Sequence, residues 1–400
     1  MEEWKEYKLG DVINVLDNKR IPLSSKERST RKGNFPYYGA QGIIDYINDF
    51  IFNGTYLLIA EDGENLKSQK QDIAQLATGK FWVNNHAHIV ESNGLCDIRY
   101  LCYLINRMDL SGYITGSAQP KLNQANLLSI IIRLPLLRKQ QYIANFISMF
   151  DDKIELNRRI NENLEQQAQA LFKSWFVDFE PFKDGKFVDS ELGMIPEGWR
   201  VGVFNELVEI LSGFAFKSNT FVEKGKYQLI TIKAVQDGLL NISGSNYINI
   251  IPPKMPQYCF LRKGDILLSL TGNVGRTCIV TYDNLLLNQR VAKIKPKNII
   301  NRMFLYIILR QLDFKKRLIY LAKGTAQLNL SPIETGQIKI IIPSEEYLKK
   351  YADMMNSKFD MMLNNSIENI ALSELRDTLL PRLMSGELAI TDVDDRSIFQ

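Results

Sequence analysis

His86 and His88 are the only histidines in the 400 residues. They stand two apart, so on a strand both rings share one face and could in principle hold a metal ion. Neither a cysteine nor a third histidine lies nearby to complete the set. A structural or hydrogen-bonding role therefore comes first and contact with a ligand second. Cys96, Cys102, Cys259 and Cys278 lack CxxC spacing and read as four reduced thiols. Two histidines side by side give no plausible Ser-His-Asp or Cys-His arrangement. No GxGxxG opens a helix. Thr271-Gly-Asn-Val-Gly-Arg-Thr277 lacks the GxxxxGK[ST] spacing, and Thr277-Cys-Ile-Val-Thr281 continues as strand. It reads as a tight turn able to lie beside phosphates, not as a nucleotide cradle. Asp178, Glu180 and Lys183 resemble a nuclease pattern only as chance spacings do. Ile251-Pro-Pro-Lys254 lacks both flanks of the Asn/Asp-Pro-Pro-aromatic signature of amino-methyltransferases. No catalytic residue and no metal ligand is assigned, and no cofactor is expected in this chain. Catalysis is expected from a partner.

What these polar residues can do is read hydrogen-bonding edges and phosphates. Asn and Gln pair bidentately with adenine, Arg and Lys with guanine, and flexible loops bring their backbone to phosphate. Early in the chain the candidates are Lys19, Arg20, Tyr38, Gln41, Asn84, Asn85, His86 and His88. Gln119 and Lys121 join them from the loop Gly116-Ser-Ala-Gln-Pro-Lys-Leu-Asn-Gln124. Tyr37, Tyr38 and Trp82 are expected in the core first and as stacking platforms second. Later candidates are Lys217, Lys233, Thr271, Asn273, Arg276, Asn288, Gln289, Arg290 and Gln327, with Lys217, Lys233 and Arg290 favoured. Lys315-Lys-Arg317 reads as a solvated helix face.

Charge is distributed in step with this reading. The net is only +4, and 45% hydrophobic with 24% charged content is ordinary for a soluble globular chain. Residues 199–343, however, hold 20 Lys+Arg against 8 Asp+Glu, and residues 1–140 hold 17 against 15. Residues 141–198 and 344–400 each hold 6 against 11. Basic stretches attract polyanions, of which DNA is the commonest large one, whereas acidic stretches suit protein partners.

Two long helices must position the candidates. From Gln141 to Phe176, the residues Ile143, Ile147, Phe150, Ile154, Leu164, Leu171 and Trp175 recur at three- and four-residue steps, with Asn157 and Asn161 at intermediate seam positions. Such a helix is about 50 Å long at 1.5 Å per residue. Tyr351, Met355, Phe359, Met362, Ile370, Leu375 and Leu379 repeat the pattern, until Pro381 and Gly386 are expected to stop it. Gly116-Ser-Ala-Gln119 is answered 208 residues on by Gly324-Thr-Ala-Gln327, Ile130 and Ile132 by Ile338 and Ile340, and Pro135 by Pro343. Trp4-Lys-Glu-Tyr-Lys-Leu-Gly-Asp-Val resembles Trp199-Arg-Val-Gly-Val-Phe-Asn-Glu-Leu, Lys263–Arg276 answers Asn53–Gly63, and Asn288-Gln-Arg-Val-Ala-Lys293 answers Asn84-Asn-His-Ala-His88. The chain therefore reads as two half-proteins, each a lobe followed by a long helix. In the first lobe Leu57–Ala60 and Ala87–Val90 are predicted strands, and Tyr100–Ile105 a predicted helix.

The expected fold is α+β, with two similar globular lobes, each followed by one long spacer helix, in a duplication. The boundaries are 1–140 for the first lobe, 141–180 for the central spacer helix and 181–198 for a connector. The second lobe takes 199–343, the C-terminal spacer helix 344–386 and a tail 387–400. With no leader at Met1-Glu-Glu-Trp and no apolar run near 18 residues, a cytoplasmic location is expected.

Several stretches resemble the specificity subunits of type I restriction–modification systems. They are the Trp4 and Trp199 openings, Pro36-Tyr-Tyr-Gly39, Phe81-Trp-Val-Asn-Asn-His-Ala-His88, Leu261-Arg-Lys-Gly-Asp-Ile266 and Asn288-Gln-Arg290. Ile154-Glu-Leu-Asn-Arg-Arg-Ile-Asn161 and Leu379-Leu-Pro-Arg-Leu-Met-Ser-Gly386 complete the set, and their order and duplication carry the resemblance. It implies two similar target-recognition domains separated by two long antiparallel α-helices, a coiled-coil-like spacer in a pseudo-two-fold duplication, with each domain reading half of a bipartite double-stranded DNA site. It further implies helices that bind two modification (methyltransferase) subunits, which flip and methylate adenine with S-adenosylmethionine. Restriction subunits would bring ATP and Mg. The partner-binding positions are then Phe150, Ile154, Leu164, Leu171, Trp175, Met355, Phe359, Leu375 and Leu379. The rival reading is a self-sufficient methyltransferase or nuclease.

Overall fold

The computed structural model describes residues 4–68, 71–116, 119–324 and 327–388. The Ser117-Ala118 and Thr325-Ala326 pairs of the repeated loops, the opening before Trp4 and the expected tail beyond residue 388 lie outside the described residues. The chain divides into two compact units, Met1–Asp152 with Leu372–Gln400, and Lys153–Ala371.

The strands of the first unit are β1 (Lys5–Lys8), β2 (Ile13–Val15), β3 (Lys32–Gly39), β4 (Gly42–Ile47), β5 (Phe52–Ala60), β6 (Ala74–Val83), β7 (Ala87–Ser92) and β8 (Ile131–Leu134). Six form one sheet in the order β2-β7-β5-β6-β3-β4, and β1 pairs separately with β8. Because β5 is central, Leu57-Leu-Ile-Ala60 is buried on both faces and reads as a continuous apolar run. The helix Ile98–Ile105 begins where the Asp97 carboxylate accepts from the Arg99 and Tyr100 amides. It lays Tyr100, Leu101 and Ile105 into a core shared with Leu9, Ile143, Ile147, Leu380 and Leu383.

The second unit holds β9 (Phe187–Val188), β10 (Ile195–Pro196), β11 (Arg200–Val203), β12 (Val208–Ser212), β13 (Tyr227–Ile230) and β14 (Tyr247–Ile248). It continues with β15 (Ile266–Ser269), β16 (Thr277–Ile279), β17 (Leu285–Leu287), β18 (Val291–Pro296) and β19 (Lys339–Ile342). Its pairings repeat those of the first unit. β11 pairs with β19 as β1 does with β8, and β12 with β18 as β2 does with β7. β15 pairs with β18 as β5 does with β7, and the parallel pair β13–β17 answers β3–β6. The ten-residue β6 does the work of two short strands, β16 and β17, so the second unit has a four-stranded and a three-stranded sheet where the first has six strands together. Among the described residues no helix is long and apolar enough to cross a membrane.

The central helix, Leu137–Phe176, has 40 residues and the C-terminal helix, Glu345–Ser385, has 41. Each is about 60 Å long at 1.5 Å per residue; the central helix starts four residues before the expected 141, and the C-terminal one lies within the expected 344–386. Within the second unit they run antiparallel through a polar seam. Asn157 Nδ2 donates to Glu368 Oε2 (2.7 Å) and Asn369 Oδ1 (2.9 Å), and Asn161 Nδ2 donates to the Met362 carbonyl (3.0 Å). Asn365 Nδ2 donates back to Asn161 Oδ1 (2.9 Å), and further along Tyr351 Oη donates to the Ala168 carbonyl (3.1 Å). Directional bonds at these positions pin one register, as a buried asparagine does in a coiled coil.

Three details of the helices depart from expectation. Past Leu164 the buried positions are Ala168, Phe172 and Phe176, whereas Leu171 and Trp175 are half-buried. A straight helix of 3.6 residues per turn drifts off a strict heptad, and Phe172 and Phe176 follow it onto Phe304, at 5.4 and 5.0 Å between ring centres. Leu375 is 47% exposed. Pro381 does not stop the C-terminal helix, which continues to Ser385 because Leu383 and Met384 bury in the first unit's core. Gly386, at φ 77°, ends it.

Phe359 is fully buried in the seam. Phe359→Ala is expected to cost about 3–5 kcal/mol through the cavity it leaves, read as a lower denaturation midpoint. An unchanged midpoint would remove Phe359 from the core.

Candidate nucleic-acid interface

Three segments of the first unit meet beyond the ends of β5, β6 and β7. They are Glu61-Asp62-Gly63, Asn84-Asn85-His86 and the loop from Thr115 to Leu122. Their backbones bond to one another. The Glu61 amide donates to the His86 carbonyl (2.9 Å), the Leu122 amide to the Glu61 carbonyl (2.8 Å) and the Gly63 amide to the Pro120 carbonyl (3.2 Å). Thr115 and Lys121 exchange two bonds of 2.8 Å. The Asn84 side chain folds back to accept from the His86 amide (2.8 Å), and its own amide donates to the Tyr38 carbonyl (3.0 Å).

The second unit builds the same frame. The Leu270 amide donates to the Arg290 carbonyl (2.9 Å), the Leu330 amide to the Leu270 carbonyl (2.7 Å) and the Gly272 amide to the Leu328 carbonyl (3.1 Å). Lys323 and Asn329 exchange two bonds of 2.9 and 2.8 Å. The Asn288 side chain accepts from the Gln289 amide (2.7 Å), and its amide donates to the Ile230 carbonyl (3.2 Å). The repeated glycine has one reason in both units. A Cβ on Gly116 would lie 2.3 Å from the Gln119 carbonyl oxygen, and one on Gly324 2.3 Å from that of Gln327. Both glycines also have positive φ.

The side chains on the two frames differ. In the first, the His86 ring is half-exposed and its Nδ1 lies 2.7 Å from Asp62 Oδ2, while Lys121 Nζ reaches Glu61 Oε1 at 3.2 Å. Asn85, Gln41 and Gln119 are exposed beside them, and Lys19 is exposed on its own turn. In the second, Gln289, Arg290, Asn273 and Gln327 are exposed, as are Lys217 and Lys233. Among the described residues no ion pair or hydrogen bond engages the side chain of Lys217, Lys233, Arg276 or Arg290. Arg290 has φ 71°, a left-handed backbone rare outside glycine and asparagine. Strain of that kind persists where a site needs the side chain it carries.

Six candidates are structural instead. Arg20 pairs with Asp17 (3.2 Å) and Glu61 (2.7 Å) and donates to the Ala87 carbonyl (2.9 Å). His88, 1% exposed, sits between Asp17 Oδ2 (2.6 Å) and the Leu122 carbonyl (2.7 Å). Both therefore support the loops from beneath. Asn84 and Asn288 are buried and close their own turns. Thr271 is buried and donates to Asn329 Oδ1 (2.8 Å). Tyr38 is half-buried, packs edge-on to Phe81 at 5.5 Å at the margin of a core cluster, and burial pushes its hydroxyl pKa up. Sequence reasoning did not select Asp62 and Asn329, although Asn329 stands 208 residues after Lys121 and the repeat offset alone could have found it.

Asp17, Glu61 and His88 place ligand atoms within 4.8 Å of one another, close enough to hold a metal ion. The Arg20 guanidinium already lies against both carboxylates, so the cation there is the protein's own. Burial alone would raise the Asp17 carboxyl pKa, but bonds from His88 and the Ile89 amide, with Arg20 nearby, bring it below the usual range. Burial likewise opposes Glu61, and Arg20 and Lys121 outweigh it. Carboxylates held low supply stability that is complete above the ordinary carboxylate range and is lost as pH falls through their lowered values. The protection factor of the Ile89 amide, exchange being corrected for its intrinsic pH dependence, is therefore expected to fall on acidification below the ordinary carboxylate range. Asp17→Asn should flatten that dependence, and an equally steep profile in the variant would refute it. For Arg290, exchange to glycine removes the left-handed penalty. Arg290→Gly is expected to stabilise the second unit by about 1 kcal/mol in chemical denaturation. A destabilised variant would show that no strain resides there.

Two α+β units with matching loop frames, each running on into a long helix, define a duplicated recognition protein. The chain belongs to the type I restriction modification DNA specificity domain family, whose model matches residues 1–166 and 196–372. Sequence-specific recognition of DNA in a type I restriction–modification system is the function that membership carries. The chain is 29% identical to the type I restriction enzyme MjaIX specificity subunit of Methanocaldococcus jannaschii, over 98% of each chain. It is 27% identical to the HindI specificity subunit of Haemophilus influenzae, over 97% of this chain and all of that one. A crystal structure of a type I restriction–modification S subunit from M. genitalium has a TM-score of 0.58 at 18% identity, covering 98% of this chain and 97% of that one, and shows the shared fold.

Proposed function

We propose that this chain is the non-catalytic reading subunit of its complex, with the lobe of residues 1–140 reading one half of a bipartite site and that of 199–343 the other. The observation that carries the reading is one backbone frame bearing two sets of outward side chains. His86 and Lys121 stand on the first frame where Arg290 and Asn329 stand on the second, while the exposed glutamine, Gln119 and Gln327, is kept in both. A constant frame with exchanged side chains is what two readers of different sequences require. The second lobe's free cations favour phosphate and guanine contact, whereas the neutral and paired groups of the first depend on hydrogen-bond geometry.

The long helices, Leu137–Phe176 and Glu345–Ser385, dock the modification subunits in this reading, and those subunits bring S-adenosylmethionine. Restriction subunits with ATP and Mg complete the assembly. The expected docking positions divide into three groups. Ile154, Leu164, Met355 and Phe359 are buried in the chain's own core, so they hold the helices in place. Leu375, expected as a docking position, is 47% exposed, and with Met149, Leu156, Met354 and Met361, at 64, 52, 48 and 50%, it is among the apolar positions open to a partner. Phe150, Leu171, Trp175 and Leu379 are half-buried between these two groups.

Arg290→Ala in the assembled complex tests the two-reader assignment. Methylation of duplexes randomised in one half-site at a time is expected to show relaxed recognition at one half only, with discrimination there falling by about 1–3 kcal/mol. Equal loss at both halves contradicts it. Methyl transfer or cleavage by the purified chain with DNA, S-adenosylmethionine and Mg would instead favour the rival, a self-sufficient enzyme.

A further inference from the structure

The β3–β4 hairpin of the first unit carries an exposed apolar group that the fold itself does not use. β4 is an edge strand, yet Ile43, Ile44 and Tyr46 on it are 44, 53 and 50% exposed. Natural sheets usually blunt such an edge with charge or proline. Here Tyr38 pairs with Ile43 and Tyr37 with Asp45, leaving Ile44 as the extra residue of a bulge. A bulge interrupts the outer ladder and re-aims a side chain, so the edge is poorly suited to adding a partner's strand and well suited to presenting Ile44. Gly39 makes room for it, since a Cβ there would come 3.1 Å from Ile44 Cγ2.

The tip is continuous with the loop frame. The same Cβ would lie 3.6 Å from Asn84 Nδ2, and Gln41 Nε2 lies 3.8 Å from where a Cβ on Gly63 would stand. The carboxylate of the hairpin, Asp45, is held by Lys32 (2.6 Å) and Arg28 (3.2 Å), so it presents no free negative charge to phosphate. An apolar tip beside hydrogen-bonding side chains and flanked by cations matches the major-groove edge of DNA. There the 5-methyl of thymine is the one apolar group among donors and acceptors.

We propose that Ile44, with Ile43 beside it, reads a thymine in the first lobe's half-site by packing on its 5-methyl group. The inference rests on the DNA-reading function and names one base feature read by this hairpin. The second unit has no counterpart tip, because β13 and β14 are joined through residues 231–246 rather than a two-residue turn. The effect is therefore confined to one half-site.

The test uses the complex with its modification subunits and its own target, found by mapping methylated adenines in host DNA. Each thymine is replaced in turn by deoxyuridine, which removes only the methyl. One replacement in the half-site that Arg290→Ala leaves intact is expected to weaken wild-type binding about four-fold, the value of one buried carbon. Ile44→Ser and Ile44→Ala should bind the thymine and deoxyuridine duplexes equally, and Ile44→Val should keep the preference. A half-site without thymine, or deoxyuridine effects that persist unchanged in Ile44→Ala, would overturn the proposal. So would loss of subunit assembly with DNA discrimination intact, which would assign the tip to a protein partner. Failure of Arg290→Ala to affect either half-site would instead count against the two-reader function, a separate outcome.

Discussion

Three backbone hydrogen bonds, the same in each unit, tie the three loop segments together, and two more close the third loop on itself. Peptide groups beyond the last ladder bond of a sheet need partners, and here each loop satisfies the next. With the backbone accounted for internally, the loop geometry does not depend on which outward side chains the frame carries. His86 on one frame and Arg290 on the other occupy the same place and differ in shape, charge and donor pattern. The frame constrains where a side chain stands and leaves open what it is, which is the division a reader of variable sequence needs.

Beneath the first frame lies a charged layer that the second does not copy. Arg20, Asp17, Glu61 and His88 compensate one another, and their cost of burial is offset only because each polar atom finds a partner. In the second unit the equivalent strand end is apolar at Leu270, and Thr271 with Asn329 supplies a neutral bond instead. Two solutions to the same support problem thus sit under one backbone plan. The first ties loop geometry to the protonation of carboxylates, and the second does not.

Much of this was legible in the chain. The offset of 208 residues marked the third loop in both halves, and Gly116 and Gly324 were recognisable because a turn too tight for a Cβ must repeat its glycine. The strand ends at Leu57–Ala60 and Ala87–Val90 and the helix at Tyr100 followed from apolar runs and spacing. The roles of Arg20 and His88 were not legible. Composition places cations and polar rings outside, and their partners are 41 and 71 residues away, a pairing that only the folded sheet creates. The helices were legible in kind but not in face. Periodicity cannot say when a neighbouring element such as the one bearing Phe304 will draw the buried stripe from Leu171 and Trp175 to Phe172 and Phe176. Nor can a proline reveal from sequence alone that burial beyond it will carry the helix on.

The last turn of the C-terminal helix belongs to the core of the unit that begins the chain. Leu380, Leu383 and Met384 pack with Leu9 and Ile143, and a Cβ on Gly386 would stand 3.1 Å from the Trp4 indole nitrogen. Synthesis on a ribosome therefore reverses the usual sequence of completion, in which the domain nearest the N-terminus finishes first. The middle of the chain has every residue it needs once position 371 has emerged, while the N-terminal unit waits with an open apolar wall for the final turn. A polypeptide cut short near its end would leave the exit tunnel with its earliest-made part unfinished and its later part whole.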